Sequence, residues 1–336
     1  MMMRERLESL FESFKNMRVL IIGDVMIDSY IWGKVDRISP EAPVPVVLVN
    51  KRSNMLGGAA NVALNIKSLG AEPILCSVVG NDSHGKAFIN LLHHDKISSN
   101  GIYVSDDRLT TTKFRIIGNK VQLLRVDDET DTDLNEKEEL AFLKKIDEYL
   151  TSEKVDVVII QDYNKGVLTP SVIDYVINTA SNEGIPVVVD PKKKNFDSYR
   201  NIDLFKPNLK ELREGLKRDI DADEISSLES ATAEWQERQS IKSMMVTLSE
   251  NGIFLSEQNN GTTSKIHLPA HVRKIADVSG AGDTVISVAS LCRALHIDSQ
   301  LTTALANIAG GMVCEYVGVV PIVGEQLLKE AIELLK

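Results

Sequence analysis

The chain has 336 residues, 43% of them hydrophobic and 26% charged, with a formal net charge of -10. This is ordinary globular composition, which argues against wholesale disorder. The acidic balance and the lack of a long basic cluster argue against nucleic acid as a partner, while small anionic ligands stay open.

The start, Met1 to Asn16, is charged and helix-like and lacks the apolar run of a signal peptide. No stretch approaches the ~20 apolar residues of a membrane span, so no membrane partner is expected. Arg18 to Gly23 is a short apolar run that reads as a buried strand. Residues 30–50 carry Pro40, Pro43 and Pro45 beside Val46 to Val49, which disfavours helix and favours edge strand. Thr110 to Val126 alternates apolar and polar residues around Gly118-Asn119 and reads as a hairpin. These two patches are expected to form a small β-lid beside the main body.

Elsewhere strands and helices alternate. Strands are expected at 73–79, 155–161, 186–190, 203–206 and 243–248. Helices are expected near 59–69, 84–95, 135–149, 170–183, 223–239, 281–296, 299–315 and 323–335. Thr169-Pro170 supplies an N-cap followed by proline at the first helical position. The acidic run Asp127 to Glu139 reads as a solvated loop and helix start. Such alternation implies an α/β class, with a mainly parallel sheet covered by helices on both faces and ligands at the carboxyl ends of its strands. One domain, 1–336, is expected. Cys76, Cys292 and Cys314 are widely spaced among apolar residues. They read as buried free thiols of a reducing cytoplasm, not as a disulfide or zinc framework.

The chemistry concentrates near the end. Asp277-Val-Ser-Gly-Ala-Gly-Asp283 runs straight into an apolar helix. Gly280 and Gly282 let backbone amides approach a ligand, and the helix N-terminus adds partial positive charge. Together they suit a phosphoryl group in transfer, and a carboxylate at that point can accept a proton from an attacking hydroxyl. A plain glycine turn with an aspartate facing the helix dipole would explain the segment equally well on its own. Gly57-Gly58-Ala-Ala-Asn61 could likewise be a helix-capping turn.

The two segments in this order resemble the hallmarks of the ribokinase (phosphofructokinase-B type) carbohydrate kinases, and the likeness covers essentially the whole chain. Three departures stand out. Val278 replaces a usual Thr, Ser249 replaces a usual Gly, and Gly57 to Asn61 is one residue shorter than in many relatives. The resemblance implies a ribokinase-like three-layer sandwich with a β-lid from about 30–50 and 110–126. It also implies ATP and Mg²⁺ as cofactors, and leaves a monovalent cation open. By position it makes Asp283 the catalytic base and Gly280, Ala281 and Gly282 the anion hole. It assigns Asp24, Asp28, Gly57, Gly58 and Asn61 to the sugar. Asn208 and Glu211 would support magnesium through water beside the nucleotide. Thr247, Ser249 and Gly252 would form a nucleotide loop, and Asn307 a wall of the adenine pocket.

Gly23 to Gly33, Arg37 to Val46, Gln161 to Gly166 and Asp190 to Lys192 narrow the resemblance to the branch that acts on heptose 7-phosphate. That branch phosphorylates the anomeric hydroxyl, on the route to ADP-heptose and the lipopolysaccharide core. Many of its members carry a fused C-terminal nucleotidyltransferase; this chain ends at Lys336, and a stand-alone kinase is expected. A sugar-phosphate partner needs cations near the lid. Arg37, Lys113, Arg115, Arg125, Lys165, Lys192 and Lys193 are candidates, and Arg115, Arg125 and Lys192 are preferred. An exposed lid edge invites pairing with a second copy, so a homodimer through the lid is expected.

The rivals are another sugar, sugar-phosphate or nucleoside kinase of the same family, and a non-catalytic sugar or nucleotide sensor. A P-loop and a Gly-x-Ser-x-Gly elbow are both missing, and no Gly-x-Gly-x-x-Gly follows the first strand. His93-His94, His267 and His271 lack metal-ligand companions and read as surface residues.

Overall fold

A computed structural model describes residues 2–221, 224–259 and 261–335. The chain begins with α1 (Met2–Phe14), β1 (Arg18–Gly23), β2 (Val25–Ile38), β3 (Pro45–Gly58) and α2 (Ala59–Ser68). Next come β4 (Glu72–Gly80), α3 (Ser83–His94), β5 (Ile102–Ser105), β6 (Thr112–Gly118), β7 (Val121–Asp128) and α4 (Glu136–Ser152). The middle holds β8 (Val157–Gln161), α5 (Pro170–Asn182), β9 (Val187–Asp190), β10 (Leu204–Phe205), α6 (Leu209–Leu216) and α7 (Ile225–Gln239). The chain closes with β11 (Ser243–Thr247), β12 (Ile253–Asn259), β13 (Thr262–Leu268), α8 (Ala281–Ala294), α9 (Ser299–Val313) and α10 (Gly324–Leu334).

The main sheet has nine strands in the order β13-β12-β11-β10-β9-β8-β1-β4-β5. Strands from β5 across to β11 are parallel, and the β12–β13 hairpin closes one edge antiparallel. Successive side chains of a strand point to opposite faces, and both faces here are covered. In β1, Val19 and Ile21 enter a layer with Phe14, Ile66, Leu291 and Leu305. Leu20 and Ile22 enter the opposite layer with Phe142, Ile173, Leu212 and Trp235. The central strands are therefore apolar without a break, and the architecture is the expected three-layer sandwich. The N-cap at Thr169 accepts the Val172 amide at 3.1 Å, as the Thr-Pro pair implies.

A second sheet of four strands, β3-β2-β6-β7, stands apart from the main one. Its strands reach further into the body than the expected 30–50. β2 starts two residues after β1, and β3 runs to Gly58. Pro40 and Pro43 lie in the turn between them, and Pro45 is the first residue of β3, where a missing N–H is tolerated. The 110–126 hairpin forms as read. Ile38, Leu48, Val121 and Leu124 of this sheet are exposed.

Three features go beyond the sequence reading: β5, helix α6 and the β12–β13 hairpin. The helix expected at 223–239 is described from Ile225, and residue 223 lies outside the described residues. The acidic run 127–139 is largely solvated, but Leu134 and Glu138 are buried, and Glu138 closes a capping box with Asn135. The three cysteines are free and buried. Among the described residues no helix is long and apolar enough to cross a membrane.

β1 has β4 on one side and β8 on the other, so the chain winds in opposite directions from this point. Ligand crevices form where strand order reverses, beyond the carboxyl ends of the strands. Asp24 follows β1, Gln161 ends β8, Asp190 ends β9 and Lys206 follows β10. Gln161, Asp190 and Lys206 meet at this crevice.

Candidate active site

α8 begins at Gly280, whose φ of 82° is left-handed and suits glycine. A Cβ there would come within 3.0 Å of Asn61 Nδ2. Asp283 sits in the first turn and is buried. Asn61 Nδ2 donates to its Oδ2 at 2.7 Å, and the Tyr163 hydroxyl donates to Oδ1 at 2.7 Å. Gln161 Nε2 adds a longer bond to Oδ1 at 3.3 Å. Burial pushes the Asp283 carboxyl up to about 6, against the lowering effect of the Asn61 and Tyr163 donors. A buried carboxylate poised there can serve as a general base.

Of the amides expected in the anion hole, that of Ala281 already donates to the Val278 carbonyl at 3.3 Å. Those of Gly282 and Asp283 belong to the first helical turn, where N–H groups have no carbonyl within the helix. A Cβ at Gly282 would lie 3.4 Å from Lys206 Nζ and 3.8 Å from Asp190 Oδ2. The helix start therefore abuts a buried Lys206–Asp190 ion pair, 3.1 Å apart. Asp277 pins the glycine turn. It accepts the Ser279 amide and hydroxyl at 2.9 and 2.8 Å and the Gly318 amide at 2.9 Å. Val278 is exposed on the same turn.

The residues expected to grip sugar divide into two kinds. Asp28 is buried on β2 and ion-paired with Arg115 of β6. Gly57 of β3 pairs with Met26, diagonal to Asp28, and a Cβ there would collide with the Asp28 carboxylate. Gly58, at φ 62°, leaves room for the Asp24 carbonyl. Asp24 itself does not face the crevice as expected. Its carboxylate accepts the backbone amides of Tyr163, Lys165 and Val167 at 2.8, 3.1 and 3.1 Å, so it holds the loop after β8. Burial, then the neighbouring Asp162 carboxylate, raises it to about 6 despite those three donors. Asn61 likewise spends its amide on Asp283.

The expected cations are also sorted. Arg115 pairs with Asp28 and stacks over Tyr30, 5.2 Å from the ring centroid. Arg125, its cross-strand partner, is ion-paired with Asp127. Lys165 pairs with Glu129 at 2.8 Å. Lys192 is not on the small sheet. It binds Glu211 and lies over the Tyr163 ring at 5.4 Å. Burial lowers its pKa, but Asp190 and Glu211 outweigh that and hold it above the usual lysine value. Lys113 of β6 differs from all of these. Among the described residues it has no ion-pair partner, and its ammonium faces the other side of the site at 5.7 Å from the same Tyr163 ring. Burial lowers its pKa, Asp28 opposes that, and Arg125 and Lys165 reinforce it.

On the far side, Asn208 and Glu211 form a reciprocal capping box on α6. The Glu211 amide donates to Asn208 Oδ1 at 2.9 Å, and the Asn208 amide to Glu211 Oε2 at 2.8 Å. Thr247 bridges to Asn208 at the end of β11. Ser249 follows at φ 54°, a left-handed conformation that accounts for the usual glycine there. Gly252, at φ 83°, leaves room for the Leu268 carbonyl. Asn307 of α9 donates to the Pro269 carbonyl at 2.8 Å and so tethers the loop after β13.

Tyr163, Gln161, Asp190 and Lys206 emerge only from the structure as site residues. Three of them lie in segments that the family resemblance had already marked; Lys206, just before Pro207-Asn208, lies outside those segments. Among the described residues, buried Gln161 Oε1 has no hydrogen-bond partner, which leaves an acceptor able to receive a further donor.

Two carboxyls raised to about 6 make a stability prediction. Both bind protons more tightly folded than unfolded, so their contribution is full below the unfolded value near 4 and is lost as pH rises through about 6. Unfolding at pH 5 should release about one proton from each. Asp24→Asn should release about one fewer than wild type, read by calorimetry in buffers of different ionisation heat; equal release would refute the raised carboxyl.

Residues 16–323 match the pfkB family of carbohydrate kinases. The chain is 36% identical over 313 residues to the bifunctional protein HldE of Geotalea uraniireducens, covering 93% of this chain and 62% of that one. It is 39% identical over 306 residues to bifunctional protein HldE of Aliarcobacter butzleri, covering 90% and 62%. The chain thus spans about three-fifths of the length of these curated relatives. Phosphofructokinase-2 from Escherichia coli in complex with potassium superposes with a TM-score of 0.77 at 19% identity, over 95% of this chain and 100% of that one. Arabidopsis thaliana ribokinase complexed with ribose and ATP superposes with a TM-score of 0.69 at 16% identity, over 93% and 99%. The fold is therefore ribokinase-like, and on the strength of the family match over nearly its whole length the chain belongs to the pfkB family of carbohydrate kinases.

Proposed function

We propose that this kinase transfers the γ-phosphoryl group of ATP to the anomeric hydroxyl of D-glycero-D-manno-heptose 7-phosphate. The product would be the 1,7-bisphosphate, on the route to ADP-heptose and lipopolysaccharide core. The observation that carries the chemistry is Asp283, a buried carboxylate in the first turn of α8 beside a glycine turn. The acceptor class rests on the resemblance of the β1–β2, β8 and β9 segments to heptose 7-phosphate kinases. The HldE relatives support the same branch.

Asp283 takes the proton of the sugar hydroxyl. The oxygen then bonds to the γ-phosphorus as the bond to the β-phosphate oxygen breaks and ADP leaves. The Gly282 and Asp283 amides and the positive end of α8 meet the charge that develops. Asp28, with Arg115 fixing its orientation, accepts hydrogen bonds from sugar hydroxyls. Lys113, with Arg125 and Lys165 beside it, meets the 7-phosphate, since an unpaired half-buried ammonium is costly without an anion. The small sheet acts as a lid that excludes water.

Asp190 and Glu211 are hard oxygen donors near the α8 start, each held by one lysine. Among the described residues no three acidic, histidine or cysteine side chains form a metal cage. That donor set fits Mg²⁺ held mainly by water and substrate phosphates. When bound, the ion would neutralise phosphate charge. A cytosolic setting, where three buried thiols stay reduced, is part of this reading.

Coupled ADP release with heptose 7-phosphate, fructose 6-phosphate and ribose tests the acceptor. Heptose 7-phosphate should give the highest kcat/KM, and a clear preference for another sugar overturns the assignment. Asp283→Asn should lower turnover by ~10²–10⁴-fold or more while sugar binding survives. Wild-type kcat/KM should fall about tenfold per unit below a pH of about 6. We also propose a homodimer through the exposed apolar residues of the small sheet, where Ile38, Leu48, Val121 and Leu124 face solvent. Light scattering should give twice the chain mass, and Leu48→Lys with Leu124→Lys should shift it to monomer; a wild-type monomer at high micromolar concentration counts against the dimer.

A further inference from the structure

We infer that Tyr163 is the positioning residue of the phosphoryl-transfer base, holding Asp283 ionised and stationed between the two substrate sites. The inference rests on Asp283 being the base. Its support is geometric. The phenol donates to Asp283 Oδ1 at 2.7 Å, while Oδ2 accepts only the Asn61 bond at 2.7 Å among the described residues and keeps a lone pair for the sugar proton.

Two ammonium groups lie over the ring. Lys113 of the small sheet approaches it at 5.7 Å, and Lys192, at the Glu211 side, at 5.4 Å. Its backbone amide is fixed by Asp24 at 2.8 Å. One residue thus touches the base, the sugar-phosphate side and the nucleotide side. The charged groups facing Asp283 are Asp190 from β9, Lys206 after β10 and Lys192 after β9. Asp190 opposes ionisation, and the lysines favour it. Burial and the nearby Asp283 and Asp190 charges keep the phenol protonated, so Tyr163 acts as a donor.

A hydrogen bond to an ionised carboxylate favours the charged form, and its loss raises the pKa. Tyr163→Phe should move the acid limb of kcat/KM upward by about one pH unit. The loss should be about tenfold below the limb and shrink to a few-fold above pH 8. The 7-phosphate of the acceptor titrates in both enzymes and cancels in the comparison. A loss equal at every pH, or an unmoved limb, overturns the inference. Melting temperature and ADP affinity check that the variant folds. If it does not, 3-fluorotyrosine at position 163 keeps the shape and donates more strongly. It should move the limb downward, and no movement again overturns the inference. If Asp283→Asn retains turnover, the base assignment fails. If that variant is dead and the Tyr163→Phe limb stays put, only this inference fails.

Discussion

Everything at the crevice follows from keeping one carboxylate in a dry place. An Asp283 charge taken out of water is costly unless donors replace the lost solvent. Here Asn61 arrives from α2, Gln161 and Tyr163 from the end of β8, and the peptide dipoles of α8 from below. The compensation is incomplete, because burial still raises the group to about 6. That incompleteness is useful. In the proposed mechanism, a carboxylate with a pKa near neutral is both ionised often enough and basic enough to take a proton.

The same constraint explains the glycines near it. Gly280 must turn left-handed to start α8, and it must leave room for the Asn61 amide that reaches Asp283. Gly57 must leave room for the Asp28 carboxylate. In each case a side chain would occupy the space of a polar group that the site uses. The two glycine segments are thus the two halves of one pocket, joined by the bond from Asn61 to Asp283.

The fold was largely legible because its signals are local. The unbroken apolar runs of β1 and β8, and the Thr169-Pro170 start of α5, depend on near neighbours in the chain. The glycine-rich start of α8 was legible for the same reason. What escaped was short or long-range. β5 has four residues and α6 eight, too short to show a clear periodic signal. The β12–β13 hairpin is exposed along β13 and carries little apolar periodicity. The direction of Asp24 could not be read, because the amides it binds lie 139 to 143 residues away. Lys192 misled for a related reason: a lysine after a strand end has reach in several directions, and Glu211 decides which one it takes.

Tyr163 shows how such long-range bonds combine. Its amide rests on Asp24 and its hydroxyl on Asp283, and both carboxyls are raised to about 6. A protonated carboxyl accepts less strongly than an ionised one. A proton on either group therefore weakens the hold on the same residue, from its backbone end or from its ring end. The loop after β8 is thus fixed most firmly when both groups are charged, which is also the state in which Asp283, as the proposed base, is ready. Order in the loop and ionisation of the proposed base share one pH range, through a residue that neither glycine hallmark contains.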